Sequence, residues 1–98
     1  MADEMEAQIY SHPRGFEWDE NKRRANIEKH GLDFNDAKDV FLDPRQFTYR
    51  SAHSREPRYV TVGTVGGLLV AVVSTLRQEK IRIISARVAR RSERIQYG

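Results

Sequence analysis

The chain has 98 residues, a formal net charge of +3, 32% charged and 39% hydrophobic residues, and no cysteine. That length supports one domain with a modest core, disulfides and thiolate metal sites are excluded, and His12, His30 and His53 lack paired ligand spacing, so neither a metal nor another cofactor is expected. No apolar run approaches the ~20 residues of a membrane helix, and the acidic, polar start is unlike a secretory signal, which predicts a cytoplasmic protein with no membrane association.

Residues 1–15 are acidic and without periodicity, which predicts a flexible tail ahead of a single domain over 16–98. Phe16-Glu17-Trp18 is a short extended segment. Asp19 is placed to cap a helix that runs to His30 and stops at Gly31. The apolar face of that helix is thin, so it is expected to lean on Trp18. A second helix starts near Asp33, capped by Asp33 or Asn35. Its stripe is Phe34, Ala37, Val40 and Phe41, and Asp43-Pro44 ends it.

The remainder reads as a mainly antiparallel sheet of about four strands. Gln46 to Arg50 is the first, followed by a polar loop from Ser51 to Pro57. Arg58 to Thr64 alternates, with Val60 and Val62 on one side and Tyr59 and Thr61 on the other. Gly66-Gly67 makes a tight turn. Leu68 to Leu76 is continuously apolar, as suits a central strand covered on both faces. The turn at Arg77–Lys80 leads to Ile81 to Ala86, and a short basic helix over Ala89 to Tyr97 closes the chain. The fold class is therefore α+β: two N-terminal helices packed on the sheet, then a short C-terminal helix.

If Leu76 faces Ile81, alternation sorts the last hairpin. Val70, Val72, Ser74, Leu76, Ile81, Ile83 and Ser85 should lie under the helices. Leu69, Ala71, Val73, Thr75, Arg77, Arg82, Ile84 and Ala86 should form the opposite, open face. Charge is polarised along the chain. Residues 77–94 hold seven Lys or Arg against two Glu, and residues 1–20 hold one Arg against six acids. A strand ending in clustered arginines suits phosphate oxygens, which makes nucleic acid the first partner to consider.

The segments Phe16-Glu17-Trp18-Asp19, Lys22, Asn26, Lys29-His30-Gly31, Phe34 and Ala37 resemble the amino-terminal half of the BrnT toxins. Residues 58–63, 68–73, 82–87, then Arg90-Arg91, Glu93-Arg94 and Tyr97, resemble the remainder. The resemblance runs in order from Phe16 to Tyr97. It implies a RelE-like fold, with helices on one sheet face and the other face open for RNA. It also implies a metal-independent ribonuclease toxin of a type II toxin–antitoxin module that inhibits translation and growth. Its partner would be an antitoxin with a DNA-binding domain, typically ribbon-helix-helix, and operator DNA would be reached only through the complex.

Metal-free RNA cleavage needs a base for the 2′-hydroxyl, donors for the developing phosphorane and an acid for the leaving oxygen. Arginine suits the second role but transfers protons poorly. Arg77, Arg82 and Arg87 are the candidate electrostatic catalysts; for Arg87 the alternative is an ion pair with Glu17 or Asp19. His30, whose ring type titrates near neutrality, and Lys29 are the candidate proton carriers; the alternative for His30 is a helix-end cap. Arg58 and Tyr59 are candidate RNA contacts, Tyr59 as a stacking platform. Arg90, Arg91 and Arg94 form a candidate phosphate rail, or a solvated or antitoxin-binding helix face. Trp18, Phe34 and Phe41 read as core, and Asn26 as a backbone-bonding residue under the sheet rather than a partner for His30. The competing function is a catalytically silent binding module that supports operator binding by a partner protein. Autonomous DNA binding is a weaker third reading, without helix-turn-helix spacing behind it.

Overall fold

The computed structural model describes residues 13–52 and 55–98. Most of the expected acidic tail, with His12, and also His53 lie outside the described residues. Among the described residues five strands, β1 (Phe16–Trp18), β2 (Phe47–Arg50), β3 (Tyr59–Val65), β4 (Leu68–Arg77) and β5 (Lys80–Val88), form one mixed sheet. Their order across it is β1-β5-β4-β3-β2. Three α-helices among the described residues accompany it: α1 (Glu20–His30), the single-turn α2 (Phe34–Ala37) and α3 (Arg91–Tyr97).

The α+β class and the order of elements match the sequence expectation, but the sheet has one strand more and is not wholly antiparallel. The extra strand is Phe16-Glu17-Trp18, which pairs parallel with β5 in the register Phe16↔Ile81, Glu17↔Arg82, Trp18↔Ile83. Three residues carry too little alternation to announce a strand, and their partner lies more than sixty residues away. Gly15 already joins this pairing: its carbonyl accepts the Ile81 amide at 3.0 Å.

Asp19 caps α1, its Oδ1 accepting the Lys22 amide at 3.1 Å. Gly31 ends the helix with φ 69°, a left-handed conformation that glycine adopts without steric cost. Asp33, not Asn35, caps α2, accepting the Asn35 amide at 2.9 Å. The expected second helix lasts only one turn before tightening into a 3₁₀ segment, Lys38–Leu42, which ends at Asp43. The tighter winding still buries both Val40 and Phe41. It lies so close to β3 that a Cβ on Gly63 would come within 2.7 Å of Val40 Cγ2.

Helix α1 buries only Asn26. The Asn26 amide nitrogen donates to the carbonyls of Leu32 and Ala86, both at 2.9 Å, and its oxygen accepts the Ala86 amide at 3.1 Å. Beyond Trp18, β1 no longer covers the edge of β5, and this side chain takes the place of the missing strand at Ala86. That is the structural role expected for Asn26. Trp18 also contributes, edge-on to Phe34 at 6.1 Å, and Arg23 ties α1 to Asp33 at 2.9 Å.

The core lies on both sides of the sheet. Under α1, α2 and the 3₁₀ segment sit Phe34, Ala37, Val40, Phe41, Tyr59, Val70, Val72, Ile81, Ile83 and Ala86. On the opposite face Val60, Val62 and Ala71 pack with Ala89, flanked by Phe47, Val73 and Tyr97. The second helical layer is α3, so one end of the face expected to be open is covered.

The last hairpin turns through Gln78 and Glu79, both at positive φ (52° and 66°), and pairs Leu76 with Ile81 as expected. Strict alternation then fails. Val73 pairs with Ser85 but Ser74 pairs with Ile83, leaving Ile84 as an extra residue in β5. The bulge reverses everything after it. Ala86, expected on the open face, is buried in the core under the helices. Ser85, expected under the helices, pairs with Val73 on the opposite face. The bulge also puts Arg82 and Arg87 on the same face, opposite Thr75 and Ala71 respectively.

Candidate nucleic-acid interface

The uncovered end of the sheet is built across four strands. Glu17 of β1 is in register with Arg82 of β5, which pairs with Thr75 of β4. Tyr59 pairs with Ser74, so Arg58 follows beside Thr75. Thr75 Oγ1 donates to the Pro57 carbonyl at 2.8 Å and fixes the chain entering β3. Here a cleft of about 380 Å³ is lined by Lys22, Glu56, Arg58, Thr75, Leu76, Arg77, Arg82 and Ile84. Four cations thus meet one carboxylate on the cleft wall, with a second acid behind Arg82.

The two acids position cations. Glu17 Oε2 accepts Arg82 Nη1 at 2.8 Å, with both side chains partly buried. Glu56 Oε1 accepts Arg58 Nε at 3.3 Å and Nη2 at 3.1 Å. Arg77 and Lys22 form no ion pair among the described residues, so their charges are available to a ligand. An arginine held by a carboxylate on one edge still presents its remaining N–H donors to a phosphate.

Arg87 stands differently. Its guanidinium forms a two-pronged pair with Glu93, at 2.7 and 3.0 Å. Glu93, whose side chain is 4% exposed, also accepts Tyr49 Oη at 2.5 Å and the Arg90 amide at 2.7 Å. Burial pushes this carboxyl up, and the bonds from Arg87, Tyr49 and Arg90 overcome that and hold it at about 2. The same contact pulls the Arg87 guanidinium upward in pKa. The expected partners for Arg87, Glu17 and Asp19, are replaced by Glu93. Glu17 is engaged with Arg82, and Asp19 caps α1.

Helix α3 is fastened at its other end as well. Tyr97 Oη donates to Asp43 at 2.6 Å, and Asp43 also accepts the Thr64 amide and hydroxyl. Burial pushes the Asp43 carboxyl up, and these donors together with the Arg45 amide outweigh that and hold it at about 2. The Arg45 guanidinium stacks on the Tyr97 ring at 4.8 Å.

The cleft brings together three of the arginines singled out in the sequence: Arg58, Arg77 and Arg82. Arg87 lies on the same face, four β4 positions from Arg82, roughly 13 Å at 3.4 Å per residue. Arg90, Arg91 and Arg94 are exposed around the start of α3. Lys29 and His30 are exposed in the last turn of α1. Lys29 shares the angular position of Lys22 two turns earlier, about 10 Å along the axis, and His30 is turned away from that line by about 100°.

Tyr59 is the clear correction. It is 3% exposed and packs in the core under the helices, so it offers no face to a base. The alternation that set it apart from Val60 and Val62 is real, but both faces of β3 are covered. Sequence reasoning missed Lys22, Glu56, Thr75, Tyr49 and Glu93. Only the placement of Glu56 two residues before Arg58 hinted at the pairing.

Among the described residues no three His, Cys, Asp or Glu side chains converge on a metal-sized site, and no helix is long and apolar enough to cross a membrane. The family model described as "Ribonuclease toxin, BrnT, of type II toxin-antitoxin system" matches residues 18–93. The chain belongs to the BrnT toxin family. The match runs from Trp18 through α1, the whole of β2 to β5 and the first residues of α3, and so takes in every residue lining the cleft. A BrnT protein is a ribonuclease toxin, and its place in a type II module implies an antitoxin as partner. No curated protein matches the chain closely enough to add a relative.

Proposed function

We propose that this BrnT chain cuts RNA without a metal ion, at the cleft between β5, β4 and the start of β3, and so inhibits translation and growth until an antitoxin binds it. The observation that carries the reading is the cluster of Lys22, Arg58, Arg77 and Arg82 around one cleft, with Arg82 and Arg58 oriented by carboxylates. Fixed guanidinium donors stabilise the extra negative charge that gathers on phosphorus-bound oxygens in the transition state. Arg90, Arg91 and Arg94 extend the positive surface around α3, which Arg87 anchors through its pair with Glu93. Lys29 continues it along α1 from Lys22. These side chains hold the strand on either side of the cut, and His30 has no part in this reading.

The antitoxin reading follows from the family. An acidic segment laid over the cleft would compete directly with RNA phosphates, and its DNA-binding domain, of ribbon-helix-helix type in this proposal, would carry the complex to operator DNA. The setting would be cytoplasmic.

The test is expression of the chain alone in bacteria, followed by incubation of highly pure protein with RNA in EDTA at low salt. Growth arrest with fragmented RNA, rescued by the neighbouring gene's product, is the expected result. Intact RNA at every salt concentration, with normal growth, would sink the ribonuclease reading and leave a silent binding module that supports a partner.

A further inference from the structure

The arginines of the cleft stabilise charge but do not move protons at neutral pH, so the reaction still needs a base and an acid. We infer that Glu56 is the general base and Lys22 the general acid of RNA cleavage, an assignment that rests on the function proposed above.

Glu56 is the carboxylate on the cleft wall. Its Oε1 is occupied by Arg58, whereas Oε2 has no hydrogen-bond partner among the described residues. The side chain is 59% exposed, so it reaches a bound strand without rearranging the core. Glu17, the neighbouring acid, is not on the cleft wall and is engaged with the partly buried Arg82. Glu93 is buried on the inner side of α3, with four donors on its two oxygens. Lys22 is the ammonium on the wall. It rises from the first turn of α1, a different element from the loop ahead of β3 that carries Glu56. Two proton-transferring groups on separate elements can approach a phosphate from opposite sides, as in-line displacement requires.

The step balances with these two residues alone. Glu56 takes the proton of the 2′-hydroxyl, and O2′ forms a bond to the adjacent phosphorus. The P–O5′ bond breaks, and the departing O5′ takes a proton from Lys22. Arg58, Arg77 and Arg82 hold the phosphorus-bound oxygens. The products are a 2′,3′-cyclic phosphate and a 5′-hydroxyl, and both side chains then exchange protons with water.

The test uses the full chain on a short labelled oligoribonucleotide with EDTA, as a pH–rate profile with analysis of the product ends. Glu56→Gln should lower kcat by about 10²–10⁴-fold with KM nearly unchanged, and should abolish the low-pH limb of the profile. Glu56→Asp should recover part of the rate. Lys22→Arg should keep RNA affinity but move the high-pH limb upward, because its side chain holds its proton more tightly. Cyclic-phosphate ends are expected, with no cleavage at a 2′-deoxy position. An active wild type whose Glu56→Gln variant cleaves within threefold, with the low-pH limb intact, overturns this assignment and leaves the ribonuclease reading standing. Products ending in 3′-hydroxyl and 5′-phosphate overturn it too. A wild type that leaves RNA intact overturns the ribonuclease reading and this assignment with it. An unaltered thermal melt shows that the Gln variant is folded, as expected when only an exposed ion pair is lost.

Discussion

Replacing Glu93 by Gln should loosen α3 from the sheet, and the size of the effect follows from its hydrogen bonds. The carboxylate accepts both prongs of Arg87, the Tyr49 hydroxyl and the Arg90 amide from within a site that water scarcely reaches. The Gln variant keeps the shape but leaves the Arg87 guanidinium without its counter-charge and sets an amide N–H against donors. Breaking one partner of a buried pair costs about 3–5 kcal/mol. The depression of the Glu93 carboxyl from 4.5 to about 2 gives a compatible figure, roughly 3 kcal/mol by linkage. A loss of that size lowers Tm by roughly 12–24 °C in a domain of this length. Because the folded-state value is depressed, the stabilisation is complete above the unfolded-state value and disappears as pH falls toward 2. Urea unfolding of wild type, Glu93→Gln, Arg87→Gln and the double variant at pH 7 and at pH 3 measures both the loss and its coupling. The gap between wild type and Glu93→Gln should narrow in acid. A single-variant loss below about 1 kcal/mol at pH 7, or a gap that does not shrink at pH 3, would refute the argument that this pair holds α3 down.

Asn26→Ala should cost roughly 2–4 kcal/mol in urea unfolding, because it leaves the Ala86 amide and carbonyl unpaired in a buried place; a loss under 1 kcal/mol would show that α1 is held chiefly by Trp18. Gly63→Ala should destabilise by about 1–3 kcal/mol through overpacking against Val40, and a neutral result would mean that the 3₁₀ segment yields easily. Arg77→Ala and Arg82→Ala should each weaken binding of a non-cleavable oligoribonucleotide and lower the salt slope by about 0.7 for each phosphate that is no longer neutralised. Fluorescence anisotropy at several salt concentrations reads this directly, and an unchanged slope would remove that arginine from the interface.

Much of the local structure was legible because its signals are short-range. Asp19 and Gly31 bound α1 where the capping chemistry says they should, Gly66-Gly67 turns the β3–β4 hairpin, and the apolar middle of β4, Val70 to Val72, is covered on both faces, whereas its end at Thr75 and Arg77 opens into the cleft. The resemblance in the sequence extended from Phe16 to Tyr97, and the family match over residues 18–93 agrees with it. What misled the site reading was alternation, which is reliable only until a bulge intervenes. A single extra residue at Ile84 moved Ser85 and Ala86 to the other sides of the sheet and put Arg82 and Arg87 on one face. Tyr59 was misread for a related reason: period 2 separates two faces but does not say which of them is exposed.

The sequence by itself determined the class, the order of elements, the family and the concentration of positive charge in the carboxyl half, since each depends on neighbours in the chain or on the whole set of residues. Only the tertiary structure decided which charges are available. Arg82 meets Glu17 across 65 positions and Tyr49 meets Glu93 across 44. Pairings so distant in sequence are set by strand register and by where α3 lands on the sheet. Nothing in the residue types distinguishes an arginine locked to a buried carboxylate from one that faces an open cleft; burial and the distance to the nearest acid make that difference.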